Sequence, residues 1–385
     1  MQKIWKIGGC VALAFIMGSG VVVAKTKAHK TAVPAKATTK ATTKSDGVAR
    51  DPYLGAMAVD AESGRVLFED NAEAHGYPAS TLKLMDLLII LEKIESGALK
   101  LTDQVTANAE VSKIGGTQVW LKEGESFSVD EMLYAMMVQS ANDAATALAI
   151  HIAGSKEAFI ELMNQRAKAL GMDATVFHSV HGLPPGTGQE HDISTPRDFV
   201  KLCLELLKHK DTLRYTSAVE RQFRVAPETI IRNHNHLLEN YRGSKPRNFK
   251  GCDGLKTGYI KAGGYCIAVT AKHADDRVLA VIFGSLSSDV RDAKARELMS
   301  KGLADIAAYR AKHPAARPVP AITPPSAQPA TNAAAQPAPP QPAPAAPPVE
   351  TPPTGTNWSK IALIGLGVLV VVLVFIIGLM RRPRA

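Results

Sequence analysis

The stretch from Pro314 to Asn357 holds 15 of the chain's 24 prolines, interspersed with Ala, Gln and Thr. Proline removes backbone donors and alanine offers little to bury, so this stretch reads as an extended spacer of about 3.1 Å per residue. It divides the chain, because any compact fold must lie upstream and the C-terminal segment is tethered on the order of 100 Å away. That segment contains Ile361–Met380, 20 residues without a charge. At about 1.5 Å per residue, a helix there matches the ~30 Å hydrocarbon core of a bilayer. Trp358 precedes it, and Arg381, Arg382 and Arg384 come directly after it. That asymmetry puts the basic tail in the cytoplasm and everything upstream outside.

The opposite end agrees on export. Lys3 and Lys6 precede an apolar, small-residue run, Val11 to Val23, that closes on Ala24 before Lys25. Residues 1–24 therefore read as a secretory signal peptide, with an uncleaved anchor as the alternative because the run nears spanning length. Cys10 follows too little apolar sequence to read as a lipid attachment site. The expected organisation is a signal peptide over 1–24, a basic spacer over 25–50, a folded domain over 51–313, a linker over 314–357 and a membrane helix with a basic tail over 358–385. The folded domain is expected at the cell membrane, on the extracytoplasmic (periplasmic) side.

The formal charge of +9 belongs to the ends. Residues 51–313 carry 31 basic and 34 acidic side chains, a net −3. A nucleic-acid binder needs its positive charge on the fold, so that class is excluded. Residues 25–50 hold seven basic groups against Asp46, either a solvated spacer or a contact for an anionic polymer.

Within 51–313, Leu54–Asp60 and Arg65–Asp70 read as a hairpin joined by Ala61-Glu62-Ser63-Gly64. Ser80–Leu91 is apolar nearly all round and predicts a buried helix. Helical patterns then dominate from about 93 to 225, including 130–138, 143–152, 156–170 and 195–208, with a Gly/Pro-rich loop at 183–192. Strands return at 254–260, 265–272 and 278–285, and an amphipathic helix over 290–309 closes the domain. Strands at both ends with helices between predict an α+β fold, an antiparallel sheet flanked by helices with a helical insertion. Of the cysteines remaining after signal removal, Cys252 and Cys266 would sit far apart in a 254–260/265–272 hairpin, with Cys266 opposite Tyr259. Cys203, Cys252 and Cys266 are thus expected to be buried and unpaired.

Three short motifs carry chemistry. Ser80-Thr-Leu-Lys83 puts a hydroxyl and an amine three residues apart on one helical face. A desolvated lysine loses basicity and can take the proton that makes serine a nucleophile, while the nearby helix N-terminus favours a developing oxyanion. Alone, the pair is equally a helix cap with a solvated lysine. Ser140-Ala-Asn142 falls between two predicted helices, where a capping turn by Asp143 is the plain alternative. Lys256-Thr257-Gly258 falls within a predicted strand, where glycine permits close approach by another backbone. The three together, in that order and on those elements, are far more specific than any one.

With these motifs the chain resembles the penicilloyl serine transferases, which comprise the active-site serine penicillin-binding proteins and the serine β-lactamases. More narrowly it resembles the low-molecular-mass D-alanyl-D-alanine carboxypeptidases. The resemblance extends over 51–313 and includes Met163-Asn164, Leu170-Gly171-Met172, Thr175, Phe177, His181-Gly182-Leu183 and Asp253-Gly254-Leu255. It implies that Ser80 is acylated by the penultimate D-alanine of a peptidoglycan stem peptide, that Lys83 is the general base, and that Ser140 relays a proton. It implies further that Asn142 orients Lys83 and the substrate amide, that Lys256 and Thr257 hold the terminal carboxylate, and that Ser80 and Tyr259 supply backbone N–H groups to an oxyanion hole beside Gly258. β-Lactam antibiotics would acylate the same serine.

The resemblance implies no metal or organic cofactor. His178, His181 and His191 share one loop region but lack acidic or Cys ligands at zinc spacing. Two features depart from the family pattern. A proline-rich spacer and spanning segment stand where many relatives carry a small all-β domain and an amphipathic helix, and Tyr259 stands where several carry histidine. Three other readings stay open. They are a D,D-endopeptidase using the same residues, a β-lactamase in which Glu190 would have to serve deacylation, and a non-catalytic wall-binding scaffold, which retention of Ser80 and Lys83 opposes.

Overall fold

The computed structural model describes residues 47–243 and 247–313. The expected signal segment, most of the basic spacer, the proline-rich linker and the C-terminal apolar segment lie outside the described residues. Among the described residues, no helix is long and apolar enough to cross a membrane.

In chain order the elements are β1 (Gly55–Asp60), β2 (Val66–Asp70), a 3₁₀ turn (Ala79–Leu82), α1 (Lys83–Glu95), β3 (Gln104–Thr106), a second 3₁₀ turn (Val111–Lys113) and β4 (Ser126–Ser128). Next come α2 (Val129–Val138), α3 (Asn142–Ala153), α4 (Lys156–Ala169), α5 (Pro196–Leu206), α6 (Thr212–Thr216), β5 (Glu220–Arg224) and β6 (Thr229–Arg232). The chain returns through β7 (Cys252–Ile260), β8 (Gly264–His273) and β9 (Asp276–Ser285) to α7 (Ser288–Lys312). The main sheet runs β2-β1-β9-β8-β7, antiparallel throughout, so the last hairpin slots in beside the first. The fold is the expected α+β arrangement.

Side chains alternate between two cores, as a two-residue strand period requires. Met57, Val59, Leu279, Val281 and Phe283 enter the larger core under α1–α5, whereas Ala56, Ala58, Val278, Ala280 and Ile282 enter the smaller core under α7. With both faces covered, β8 and β9 read as continuous apolar runs. Helix α1 is sheathed by α2, α3, α4 and α5, which is why Leu84, Met85, Leu87, Leu88 and Ile90 are all fully buried. Helices α2, α4, α5 and α7 start where a serine or threonine side chain accepts from a free amide. Ser128 and Glu131 form a capping box on α2, and Thr195 caps α5 with Pro196 at its first position.

Three details differ from expectation. Ser80 lies in the 3₁₀ turn and Lys83 begins α1, so the predicted single helix is in fact a tight turn feeding a helix. The helical middle contains two short hairpins, β3–β4 and β5–β6. In β5, Glu220-Arg-Gln-Phe-Arg224 buries Phe223 alone, leaving almost no alternation to read. The β7–β8 register is also one residue off the expected pairing. Tyr259 faces Tyr265 and Gly258 faces Cys266, because the loop is the three residues 261–263, closed by Gly264 at φ +70°. Strands buried on both faces carry no apolar/polar alternation to fix that register in advance. Cys203, Cys252 and Cys266 are buried and unpaired.

The loop between Lys113 and β4 is tied to α3 through one carboxylate. Asp143, fully buried, accepts from the backbone N–H groups of Val119 (3.2 Å) and Leu121 (3.0 Å). Removing it strands two buried donors, each costing about 1–3 kcal/mol. Asp143→Ala is therefore expected to lower stability by about 2–4 kcal/mol and Tm by roughly 5–15 °C. An unchanged thermal melt would show that Asp143 does not hold this loop.

Candidate active site

The site begins at the 3₁₀ turn. Thr81 anchors it by donating its hydroxyl to the Pro78 carbonyl at 2.6 Å. In 3₁₀ geometry residues i and i+3 eclipse, and the Lys83 Nζ accordingly lies 3.1 Å from the Ser80 Oγ. The amine also donates to the Asn142 Oδ1 (2.8 Å) and the His181 carbonyl (2.7 Å). Lys83 is wholly buried, and desolvation lowers its pKa to about 7, although Asp86, Asp192 and Asp143 pull the other way. An amine lowered that far can accept a proton at neutral pH. Asp86 lies one helical turn further on, buried, with neither oxygen hydrogen-bonded among the described residues. Burial holds its carboxyl well above the usual carboxylate range, and the charge of Lys83 opposes the shift.

Asn142 is itself held, its Nδ2 donating to the Gly115 carbonyl at 2.9 Å and its backbone N–H to the Thr117 carbonyl at 2.8 Å. Ser140 sits between α2 and α3 at φ +63°, and Ala79, just before Ser80, is at φ +49°. Each non-glycine residue in this left-handed region costs on the order of 1–3 kcal/mol, a strain that packed surroundings must sustain. Both positions belong to turns that carry a motif serine.

The third wall is β7, the edge strand of the main sheet. A Cβ on Gly258 would meet the Pro78 carbonyl oxygen at 2.7 Å and the Thr81 and Ser80 amide nitrogens at 2.9 and 3.0 Å. Glycine is what allows the strand to lie against the nucleophile turn, as the sequence predicts. Gly182, at φ +77°, allows the same approach from the other side, since a Cβ there would lie 2.3 Å from the Ala79 carbonyl. That contact brings the His181 carbonyl to Lys83. The resulting cleft has a volume of about 410 Å³ and is lined by Ser80, Ser140, Thr257, Gly258 and Tyr259, among others.

All three motifs thus converge. Ser80, Lys83 and Asn142 are directly bonded, while Ser140, Thr257, Gly258 and Tyr259 face the cleft. Lys256 is placed differently from a simple carboxylate clamp. It is 3% exposed and donates to the Thr257 carbonyl at 3.1 Å, and burial, with Lys83 and Arg291 nearby, pushes its pKa well down. The cation that lines the cleft is Arg291, on α7, doubly bonded to the Asp292 Oδ1 at 2.8 and 2.6 Å. Neither Arg291 nor the His181 carbonyl was singled out from the sequence. The available signal for Arg291 was its place on the apolar stripe shared by Ala295, Leu298 and Ile306, where an arginine needs a reason.

The loop histidines have local duties. His181 Nδ1 accepts from the Leu183 N–H at 3.1 Å, His178 lies 3.5 Å from Glu190, and His191 stacks on Tyr77 at 4.1 Å. Burial, reinforced by Lys83, lowers His181 to about 3, so its ring stays neutral. Glu190 is 80% exposed and does not line the cleft. Elsewhere among the described residues, Glu92, Glu205 and His209 bring ligand atoms within 4.8 Å, but Arg166 already bridges the two carboxylates at 2.7 and 3.1 Å.

Comparison with known proteins agrees with this geometry. Residues 41–287 match the peptidase family described as D-alanyl-D-alanine carboxypeptidase, and the chain belongs to that family. It is 32% identical over 246 residues to D-alanyl-D-alanine carboxypeptidase DacF of Bacillus subtilis, covering 63% of this chain and 60% of the relative. It is 34% identical over 255 residues to DacC of Escherichia coli, covering 64% and 60%. The chain thus spans about 60% of the length of these curated relatives. Among solved structures, penicillin-binding protein D2 of Listeria monocytogenes in its ampicillin-bound form superposes with a TM-score of 0.57 at 28% identity, covering 65% of this chain and 97% of that one.

Because β7 presses its Gly258 on the nucleophile turn, a single methyl there is expected to displace Ser80. Gly258→Ala should slow acylation by a fluorescent penicillin at least about tenfold while circular dichroism stays native. Labelling at the unmutated rate would show that the close approach is not required.

Proposed function

We propose that this chain is a serine-type D-alanyl-D-alanine carboxypeptidase that removes the terminal D-alanine from peptidoglycan stem pentapeptides. The observation that carries this reading is the buried Lys83 amine, 3.1 Å from the Ser80 hydroxyl and with a pKa near 7. A base matched to the working pH is the efficient one.

In the proposed reaction the Ser80 Oγ attacks the penultimate D-alanine carbonyl as its proton passes to Lys83. The oxyanion is held by the backbone N–H groups of Ser80 and Tyr259. Collapse breaks the C–N bond, Ser140 relays the proton from Lys83 to the departing amine, and D-alanine leaves. Water then attacks the ester, returns a proton to Ser80 and frees the shortened stem. The anionic C-terminus is received by the Thr257 hydroxyl and by Arg291, through guanidinium N–H groups that its bonds to Asp292 leave over. The free edge of β7 suits an extended peptide added as a further strand. A β-lactam would acylate Ser80 by the same route, a reading supported by the ampicillin-bound form of the Listeria relative. The exposed position of Glu190 speaks against the β-lactamase alternative. We place the domain outside the membrane, tethered by residues 358–385, on the charge pattern of the two ends.

Ser80→Ala is expected to abolish both penicillin labelling and D-alanine release with the fold intact. Labelling that survives would remove Ser80 from its role. Since only the unprotonated Lys83 acts as base, kcat/KM should fall about tenfold per pH unit below pH 7 and level off above it. A flat profile from pH 5 to 8 would contradict that base assignment. The full chain should fractionate with membranes, and truncation after Asn357 should release it. Retention of the truncated chain would place the anchor elsewhere.

A further inference from the structure

Trp120 is 68% exposed and sits at φ +56° in the loop between Lys113 and β4. A bulky side chain in that left-handed region is a costly outlier, and an indole left in water forfeits the burial that usually stabilises it. Glycine or asparagine would make the same turn with less strain. The fold nevertheless holds this tryptophan outward from both sides. Its neighbours Val119 and Leu121 are buried and give their N–H groups to Asp143. Arg224 donates to the Val119 carbonyl at 2.6 Å and to the Trp120 carbonyl at 3.3 Å, and is itself paired with Glu125 at 2.7 Å. Strain persists only where the surroundings impose it, and here they fix an aromatic ring in solvent instead of burying it. Val225, which follows Arg224 in the β5–β6 turn, is exposed as well. Thr117, three residues before Trp120, lines the catalytic cleft, whereas Trp120 does not. The two Cα atoms are thus no more than about 11 Å apart. An apolar peptide side chain seeks an enclosed pocket, but a flat ring standing in water suits a flat partner with one apolar face and hydrated edges. A pyranose has that form, its axial C–H groups making the face and its hydroxyls the edge.

We infer that Trp120 is a platform for the glycan strand from which the stem peptide hangs, stacking its indole on a sugar ring outside the Ser80 cleft. This rests on the peptidoglycan reading above and adds to it a second binding site, one for saccharide. The reach agrees. The four stem residues on the acyl side span at most about 14 Å when extended, so the sugar at the end of the stem comes within range of a loop that itself walls the cleft. Because the indole is already fixed by Asp143 and Arg224, stacking has to order only the ligand, which favours affinity. No residue of the acylation chemistry takes part.

The test uses the detergent-solubilised full chain and two substrates, an N-acetylated stem pentapeptide and the same pentapeptide carried on a tetrasaccharide glycan fragment. The glycan-borne stem is expected to have a KM lower by about fivefold or more with kcat unchanged. Trp120→Ala should erase that difference and leave turnover of the free pentapeptide as it was, and Trp120→Tyr should keep most of it. Penicillin labelling of Ser80 serves as the separate measure of folding and acylation. Glycan chains stripped of their stems should quench the tryptophan fluorescence of the unmutated chain and of Ser80→Ala alike, and the effect should vanish in Trp120→Ala. Equal KM values for the two substrates would overturn the inference and leave the carboxypeptidase reading standing. A Trp120→Ala variant that loses both substrates in equal measure would give the indole to the stem peptide and overturn the glycan assignment. If neither labelling nor cleavage is seen, the carboxypeptidase reading falls, and quenching by the stem-free chains decides the role of Trp120 by itself.

Discussion

The site depends on keeping one amine out of water. A lysine surrounded by protein has lost the hydration that favours its charged form, and here desolvation outweighs three carboxyls that would restore the proton. Its hydrogen bonds come from three separate parts of the chain, the turn at Ser80, the start of α3 at Asn142 and the loop carbonyl of His181. The geometry of the base is therefore a product of the whole helical layer. The larger core, with α1 at its centre, is what holds water away.

Strain and close approach concentrate where these parts meet. Ala79 and Ser140 adopt left-handed conformations that side chains usually avoid, while Gly182 and Gly258 let two other segments press on the nucleophile turn. A rigid sheet on one side and a packed helical layer on the other can hold such turns, as a flexible loop could not. The strand that squeezes Ser80 is the edge strand β7, the same strand that in the proposed reaction would offer its backbone and Thr257 to the peptide.

Much of this was legible in the sequence because the informative residues are short-range. Ser80 and Lys83 are three apart, and Gly258 follows Thr257 directly. The apolar runs of β8 and β9 announced buried strands, and the apolar residues on every face of α1 announced a central helix. The features that stayed hidden depend on long-range geometry. Arg291 reaches the cleft only because α7 crosses the far face of the sheet and starts beside β8. Lys256 reads in the sequence as a cation for the carboxylate, and only the folded chain shows that it is 3% exposed and bonded to the Thr257 carbonyl. The β7–β8 register turned on whether the loop held three or four residues, which strands apolar on both faces do not encode.

The most direct measurement is the titration of Lys83 itself, followed by NMR of lysine side chains labelled at Cε and Nζ and assigned through Lys83→Arg. A midpoint near pH 7, several units below an ordinary lysine, is the predicted result. A Lys83 that stays protonated to pH 10 would contradict the account, because the amine beside Ser80 could not then serve as its base.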